Sequence, residues 1–187
     1  MTLLAASAFS GDVVADARRL LGCVVRTLGD EPVAVRLPVA VRMDEVEAYA
    51  AEGDPASHAF SGRTPRNAAM FGPPGTVYVY RSYGIHWCMN IVVGDEGMAG
   101  AVLLRGGEVV EGLETAIERR GRSDHLADGP GKLCQALGVT GEMNGSKVNL
   151  GPIELVDRDR EPADVVATPR IGISKAVDRP WRFVVRG

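Results

Sequence analysis

The stretch Val41-Arg42-Met43-Asp44-Glu45-Val46-Glu47-Ala48-Tyr49 decides how this chain is read. Its residues alternate with a period of two. As a strand it sets Val41, Met43, Glu45, Glu47 and Tyr49 on one face and Arg42, Asp44, Val46 and Ala48 on the other. A carboxylate and an aromatic ring then stand side by side. Glu47, set between Val46 and Ala48 and close to Tyr49, is a candidate general base, because partial desolvation strengthens a carboxylate as a proton acceptor. A solvated edge strand is the plainer alternative, and the surrounding sequence has to choose between them.

Upstream, Asp12 precedes an apolar-periodic run from Val13 to Leu21 that ends at Gly22. This predicts a capped amphipathic helix, with Val14, Ala17 and Leu21 on the face that covers a sheet. Cys23 to Leu28 and Pro32 to Arg42 are rich in valine around Gly29-Asp30-Glu31, and read as paired strands leading into the Glu47 strand.

Downstream, Ala50 to Gly75 has little periodicity and much Gly, Pro, Ser and Asn, so it reads as a long loop. Such loops in compact domains are often functional. It carries His58 and Gly62-Arg63-Thr64-Pro65-Arg66-Asn67, whose two arginines are spaced to reach adjacent phosphates or simply decorate a surface loop. Thr76 to Arg81 then alternates, Ser82-Tyr83-Gly84 breaks the run, and Ile85 to Val93 resumes it. That is a hairpin with Thr76, Tyr78 and Tyr80 on one face, His86, Cys88 and Asn90 likewise together, and Tyr83 at its tip. An aromatic there either binds something or folds back.

Met98 to Leu104 reads as a buried strand ending at Arg105. Val110, Leu113 and Ile117 form a helix with an acidic face, ended by Gly121. Gly129-Pro130-Gly131-Lys132 opens a short helix to Leu137 whose amides could hold a phosphate, although the run lacks the spacing of a nucleotide-binding loop. Val148 to Leu150, Ile153 to Val156, Arg170 to Ile173 and Trp181 to Arg186 complete the strands, with Arg158 to Pro162 as a charged turn. Strands dominate and helices come irregularly. The fold class is α+β: one domain over 1–187, an antiparallel or mixed sheet with a protruding hairpin and peripheral helices.

Composition narrows the function. A chain of 187 residues buries a real core as one domain. No apolar run approaches the ~20 residues of a membrane span, and the first ten residues lack a secretory pattern, so a cytoplasmic protein with no membrane partner is expected. Cys23, Cys88 and Cys134 have no metal or disulfide spacing and read as core fillers; His58, His86 and His125 likewise lack ligand spacing, and no metal is expected. The net charge is −3 with pI near 5.7, yet no Asp or Glu occurs from Pro55 through Gly94. Arg170, Lys175, Arg179, Arg182 and Arg186 oppose only Asp178 near the end, while acid collects at Glu108 to Glu118 and Glu154 to Asp164. This segregation suits a one-faced polyanion binder, since phosphate contacts depend on the local patch; scattered solvated arginines would also produce it.

The runs Glu45 to Tyr49, Arg63 to Asn67, Gly75 to Tyr80, Tyr83-Gly84 and Cys88-Met89-Asn90 resemble, in order and spacing, the alkyladenine (3-methyladenine) DNA glycosylase family. So do Leu103-Leu104-Arg105, Gly129 to Leu137 and Pro180-Trp181-Arg182-Phe183. The resemblance implies a monofunctional glycosylase of base excision repair that flips alkylated or deaminated purines out of duplex DNA and hydrolyses the base–sugar bond without a cofactor. It is expected to act as a monomer and at the nucleoid when on DNA. Carried over by position, Glu47 activates water and Arg105 lies near it. Tyr49, His58 and Tyr80 stack on the flipped base, Asn90 sets selectivity, Tyr83 fills the vacated stack, and Arg63, Arg66 and Lys132 face the DNA backbone. No lysine precedes Lys132, which favours water over an amine nucleophile. Two rivals remain: a non-catalytic nucleic-acid-binding module, and a metal-dependent hydrolase using His58 with Glu45 and Glu47.

Overall fold

A computed structural model describes residues 2–28 and 38–186; the Gly29-Asp30-Glu31 turn lies outside them. The first helix, α1 (Val13–Leu20), begins where the Asp12 side chain accepts the N–H groups of Val14 and Ala15, the capping its sequence promised. It buries Val13, Ala17 and Leu20 against the sheet.

Among the described residues eight strands form that sheet, and every pairing between them is antiparallel. They are β1 (Val24–Thr27), β2 (Val39–Tyr49), β3 (Val77–Ser82), β4 (His86–Val92), β5 (Ala101–Glu111), β6 (Ile153–Val156), β7 (Val165–Thr168) and β8 (Arg182–Val185). The order is β3-β4-β5-β2-β1-β6, with β7 joined through β8 to β2. Strand β2 is the axis. It pairs with β5 along one edge, while its other edge belongs to β1 from Val39 to Arg42 and to β8 from Glu45 to Glu47.

The partner changes at a bulge. Met43 faces Gly107, Glu45 faces Gly106 and Val46 faces Leu104, so Asp44 on β2 and Arg105 on β5 are each an extra residue. A bulge shifts the side-chain phase and bends the strand. Val41 and Met43 before it, and Val46 and Ala48 after it, all enter the core. Val41 and Met43 therefore do not share a face with Glu45, Glu47 and Tyr49, as unbroken alternation would have required. Gly107 accommodates the bend, because a Cβ there would collide with the Arg42 carbonyl.

Helix α3 (Pro130–Leu137) packs on β4 and β5, and α2 (Leu113–Arg120) packs on α3. Val110 belongs to β5, which runs well past Arg105 because Gly106 and Gly107 keep it paired with β2. Val148 to Leu150 and Arg170 to Ile173 form no strand. Val148 and Asn149 instead turn back onto Gly75 and Ile153, and Arg170 is committed to side-chain bonds. Val165–Thr168 takes the place beside β8, its two adjacent valines giving no alternation to read.

Candidate active site

The bulge that re-aims β2 presents Glu45, Glu47 and Tyr49 away from the core, beneath a cleft of about 1020 Å³. Its walls come from the hairpin and the long loop. Tyr78, Tyr80, Cys88 and Asn90 share one hairpin face, as the alternation requires, with Tyr78 opposite Asn90 and Tyr80 opposite Cys88. His58 reaches in from the loop and exchanges a 3.0 Å hydrogen bond between Nδ1 and the Tyr78 hydroxyl. Its ring meets that of Tyr80 edge-on at 4.5 Å, and Tyr80 stacks with Tyr78 at 5.5 Å and 28°.

Glu47 is fully buried. Its Oε2 accepts the Tyr49 hydroxyl at 2.8 Å and its Oε1 accepts the Ile171 N–H at 2.7 Å, with Arg105 Nη1 3.3 Å away. A buried carboxylate needs such partners to remain charged. Arg105 is in turn held by Glu45, whose Oε1 accepts both Arg105 Nε and Arg182 Nε at 2.6 Å. Burial alone would raise the Glu45 carboxyl; the hydrogen bonds from Arg182 and Arg105 outweigh it and hold the group below its ordinary range. Burial and then the Glu47 charge push Tyr49 up, so its hydroxyl stays a donor. Burial pushes Tyr78 up to about 12. Loss of hydration and then the Arg66 charge lower His58, which favours its neutral ring. The aromatic walls of the cleft are thus uncharged, while the arginines hold Glu45 ionised beside them.

Asn90, 4 % exposed, donates its side-chain amide to the Tyr78 carbonyl at 3.1 Å. Tyr83 sits apart at the hairpin tip, 89 % exposed. Tyr83 and Gly84 both take positive φ, 49° and 70°, and the Ile85 N–H closes the turn on the Ser82 carbonyl at 2.9 Å. For a tyrosine that backbone costs about 1–3 kcal/mol. The tip end of the hairpin is braced by α3, where Gly131 lies so close to His86 that a Cβ would approach it to 2.9 Å.

Arg63 and Arg66 are exposed, Arg66 on the cleft wall, whereas Lys132 donates to Asp128 at 3.1 Å. The basic C-terminal run does not present a single surface. Arg170 is buried and bonded to Asp54, and Arg182 is spent on Glu45, because each answers an internal carboxylate. The three cysteines are free and buried, as core fillers would be, although Cys88 also lines the cleft. Among the described residues no group of three or more His, Cys, Asp or Glu stands close enough to share a metal ion, and no helix is long and apolar enough to cross a membrane.

Sequence reasoning missed Arg170, Asp54 and the Ile171 N–H. The pair is separated by 116 residues, and no local periodicity joins them.

Residues 7–187 match the methylpurine-DNA glycosylase family, and the chain belongs to it. A relative from Rhodopseudomonas palustris (strain BisB18) is 56% identical over 145 residues, 76% of this chain and 72% of its own. One from Methanoculleus marisnigri is 46% identical over 193 residues, spanning 100% of this chain and 96% of its own. One from Cutibacterium acnes is 48% identical over 157 residues, 79% and 82% of the respective chains. All three carry, provisionally, the name 3-methyladenine DNA glycosylase.

Proposed function

We propose that the chain is a monofunctional DNA glycosylase of base excision repair, one catalytic domain that releases alkylated or deaminated purines of the 3-methyladenine, 7-methylguanine and hypoxanthine type from duplex DNA. The observation that carries this reading is the Glu47 carboxylate, fully buried against Tyr49, Arg105 and Ile171, which line a cleft walled also by His58 and Tyr80. Flipping a nucleotide costs a few kcal/mol, and stacking on aromatic rings returns roughly 1–3 kcal/mol per base. A volume of about 1020 Å³ is at the upper end of small-ligand pockets, with room for a nucleotide.

In the reaction Glu47 takes a proton from water as the water oxygen bonds to the sugar C1′ and the base departs with the glycosidic electron pair. Oε1 already accepts the Ile171 N–H and faces Arg105, while among the described residues Oε2 accepts only the Tyr49 hydroxyl, so Oε2 has the lone pair for water. Arg105 orients the carboxylate. An alkylated purine carries positive charge, which neutral tyrosine faces favour, and it leaves as a neutral base. Asn90 at the pocket floor crowds the exocyclic amino group of guanine. Tyr83 enters the gap left by the flipped base, and Arg63, Arg66 and Lys132 face phosphates. The proposed partner is double-stranded DNA, met by a monomer in the cytoplasm or nucleoid, with no cofactor.

Release of free hypoxanthine or 3-methyladenine from a duplex separates this reading from a binding module, and activity unchanged in excess chelator removes the metal hydrolase. Glu47→Gln keeps shape and loses the proton acceptor. It should bind lesion duplex as the parent does and excise about 10²–10⁴-fold more slowly. A variant within about tenfold of the parent, ~1.4 kcal/mol in barrier, would remove Glu47 from the chemistry.

A further inference from the structure

We infer that the buried Arg170–Asp54 ion pair positions the Glu47 carboxylate for catalysis through the backbone N–H of Ile171; this rests on the reading of Glu47 as the group that activates water. Arg170 Nη1 donates to Asp54 Oδ2 at 2.7 Å and to the Ala48 carbonyl at 2.8 Å, and Nη2 donates to Asp54 Oδ1 at 2.7 Å. Both side chains are fully buried. The guanidinium lies 4.6 Å over the Tyr49 ring and 5.3 Å over that of Trp181.

Ala48 stands between Glu47 and Tyr49, and its N–H donates to the Trp181 carbonyl at 2.9 Å. Arg170 and Trp181 therefore grip the same edge of β2 at Ala48, one at its carbonyl and the other at its N–H. The next residue, Ile171, donates to Glu47 Oε1 at 2.7 Å. Residues 169–181 form no strand or helix, so no sheet ladder fixes that N–H. The Ile171 side chain is 50% exposed and anchors little by packing. The Arg170 fork is what fixes it, bonding in a defined plane to a carboxylate that the Ala50 and Ala56 N–H groups also grip at 3.3 Å. For stability alone, apolar packing would serve as well as a buried ion pair. What the fork supplies beyond packing is direction, and a 1 Å misplacement at a reacting group costs about 10²-fold in rate.

The test is single-turnover release of hypoxanthine from a matched duplex by the parent, Asp54→Asn and Arg170→Lys, at a temperature where each is folded. Alongside it run the thermal midpoint and the Kd for a duplex carrying a non-hydrolysable abasic-site analogue. The expected result is excision about 10²-fold slower with Kd within about threefold of the parent. Rates at the parental value, or rate and affinity falling together, overturn the positioning role. Ile171→Pro deletes the linking N–H and leaves the ion pair in place; it should lose the same factor in rate. Should neither charge variant fold, Ile171→Pro decides: parental excision overturns the inference, and slow excision at unchanged affinity supports it. A parent that releases no base defeats the glycosylase reading itself, whereas an active parent with equally active variants defeats positioning alone.

Discussion

The floor of the cleft and the tip of the hairpin are built on opposite terms. At the floor, Glu47 is fully buried with three donors around it, and one Glu45 oxygen holds two arginines. At the tip, Tyr83 is 89 % exposed on a positive-φ backbone, with no side-chain partner among the described residues. Groups that meet developing charge act best when already oriented, because no reorganisation then accompanies the reaction. In the role proposed for it Tyr83 would replace a stacked base and gain its partner only on DNA, which fits the unsatisfied ring at the tip.

That contrast breaks first at Tyr83. Tyr83→Ala removes an exposed ring and should leave the free energy of unfolding within about 0.5 kcal/mol of the parent. Excision of hypoxanthine from a matched duplex should fall by about ten- to a hundredfold, the worth of one stacking contact. In a bulged duplex, where extrusion already costs less, the loss should be mild. Single-turnover rates on the two substrates decide, and an equal loss on both would make Tyr83 a folding residue of the same kind as those at the floor.

The tip was legible in the sequence and half of the floor was not. Thr76 to Arg81 and Ile85 to Val93 alternate on either side of the turn, and the hairpin has the faces that this implies. In β2 the alternation is broken in a way the residues do record. Apolar positions 41 and 43 are followed by 46 and 48, a step of three where two is the rule, and the polar doublet Asp44-Glu45 fills it. Together with Gly106-Gly107 across the ladder, that phase break is the signature of the bulge. Arg170 had no such signal. Its charge reads as surface until the fold brings Asp54, 116 residues away in sequence, against it.

Asn90 sharpens the comparison, since it belongs to the floor by burial yet should affect choice of base and not rate. Its amide is tied to the Tyr78 carbonyl, which fixes the place from which, in the proposed role, it would crowd a ligand. Asn90→Ser should raise release of undamaged or 7-alkylated guanine about tenfold relative to hypoxanthine, as removal of one steric or polar discriminator does. Unchanged ratios on a panel of lesions would leave selectivity to other walls. Smaller still is the effect of single cations at the rim. Arg63 has no carboxylate partner among the described residues, whereas Lys132 is paired with Asp128 at 3.1 Å. Arg63→Gln should lower the slope of log affinity against log salt by about 1, and Lys132→Gln by less. Equal slopes would mean that the pair opens on DNA.

The smallest effect lies in how the two regions answer acid. Glu45 is held below its ordinary value of 4.5 because the Arg182 and Arg105 hydrogen bonds outweigh its burial. The unfolded chain therefore binds a proton at this position at higher pH than the folded chain. Its contribution to stability is complete above the unfolded value and is lost as pH falls through the lower, folded one. Glu45→Gln removes that contribution at every pH, so the variant should start less stable at neutral pH and lose less of its stability between about pH 5 and pH 3. Tyr83→Ala changes no group that titrates there, and its curve should run parallel to the parent's. Denaturation midpoints across that range for the three proteins make the measurement. Asp157, lowered by Arg19, titrates in all three and cancels in the difference. A Glu45→Gln curve parallel to the parent's would show that the two arginines hold Glu45 no more firmly than water does, and the ordered floor would then depend on Glu47 and its own donors.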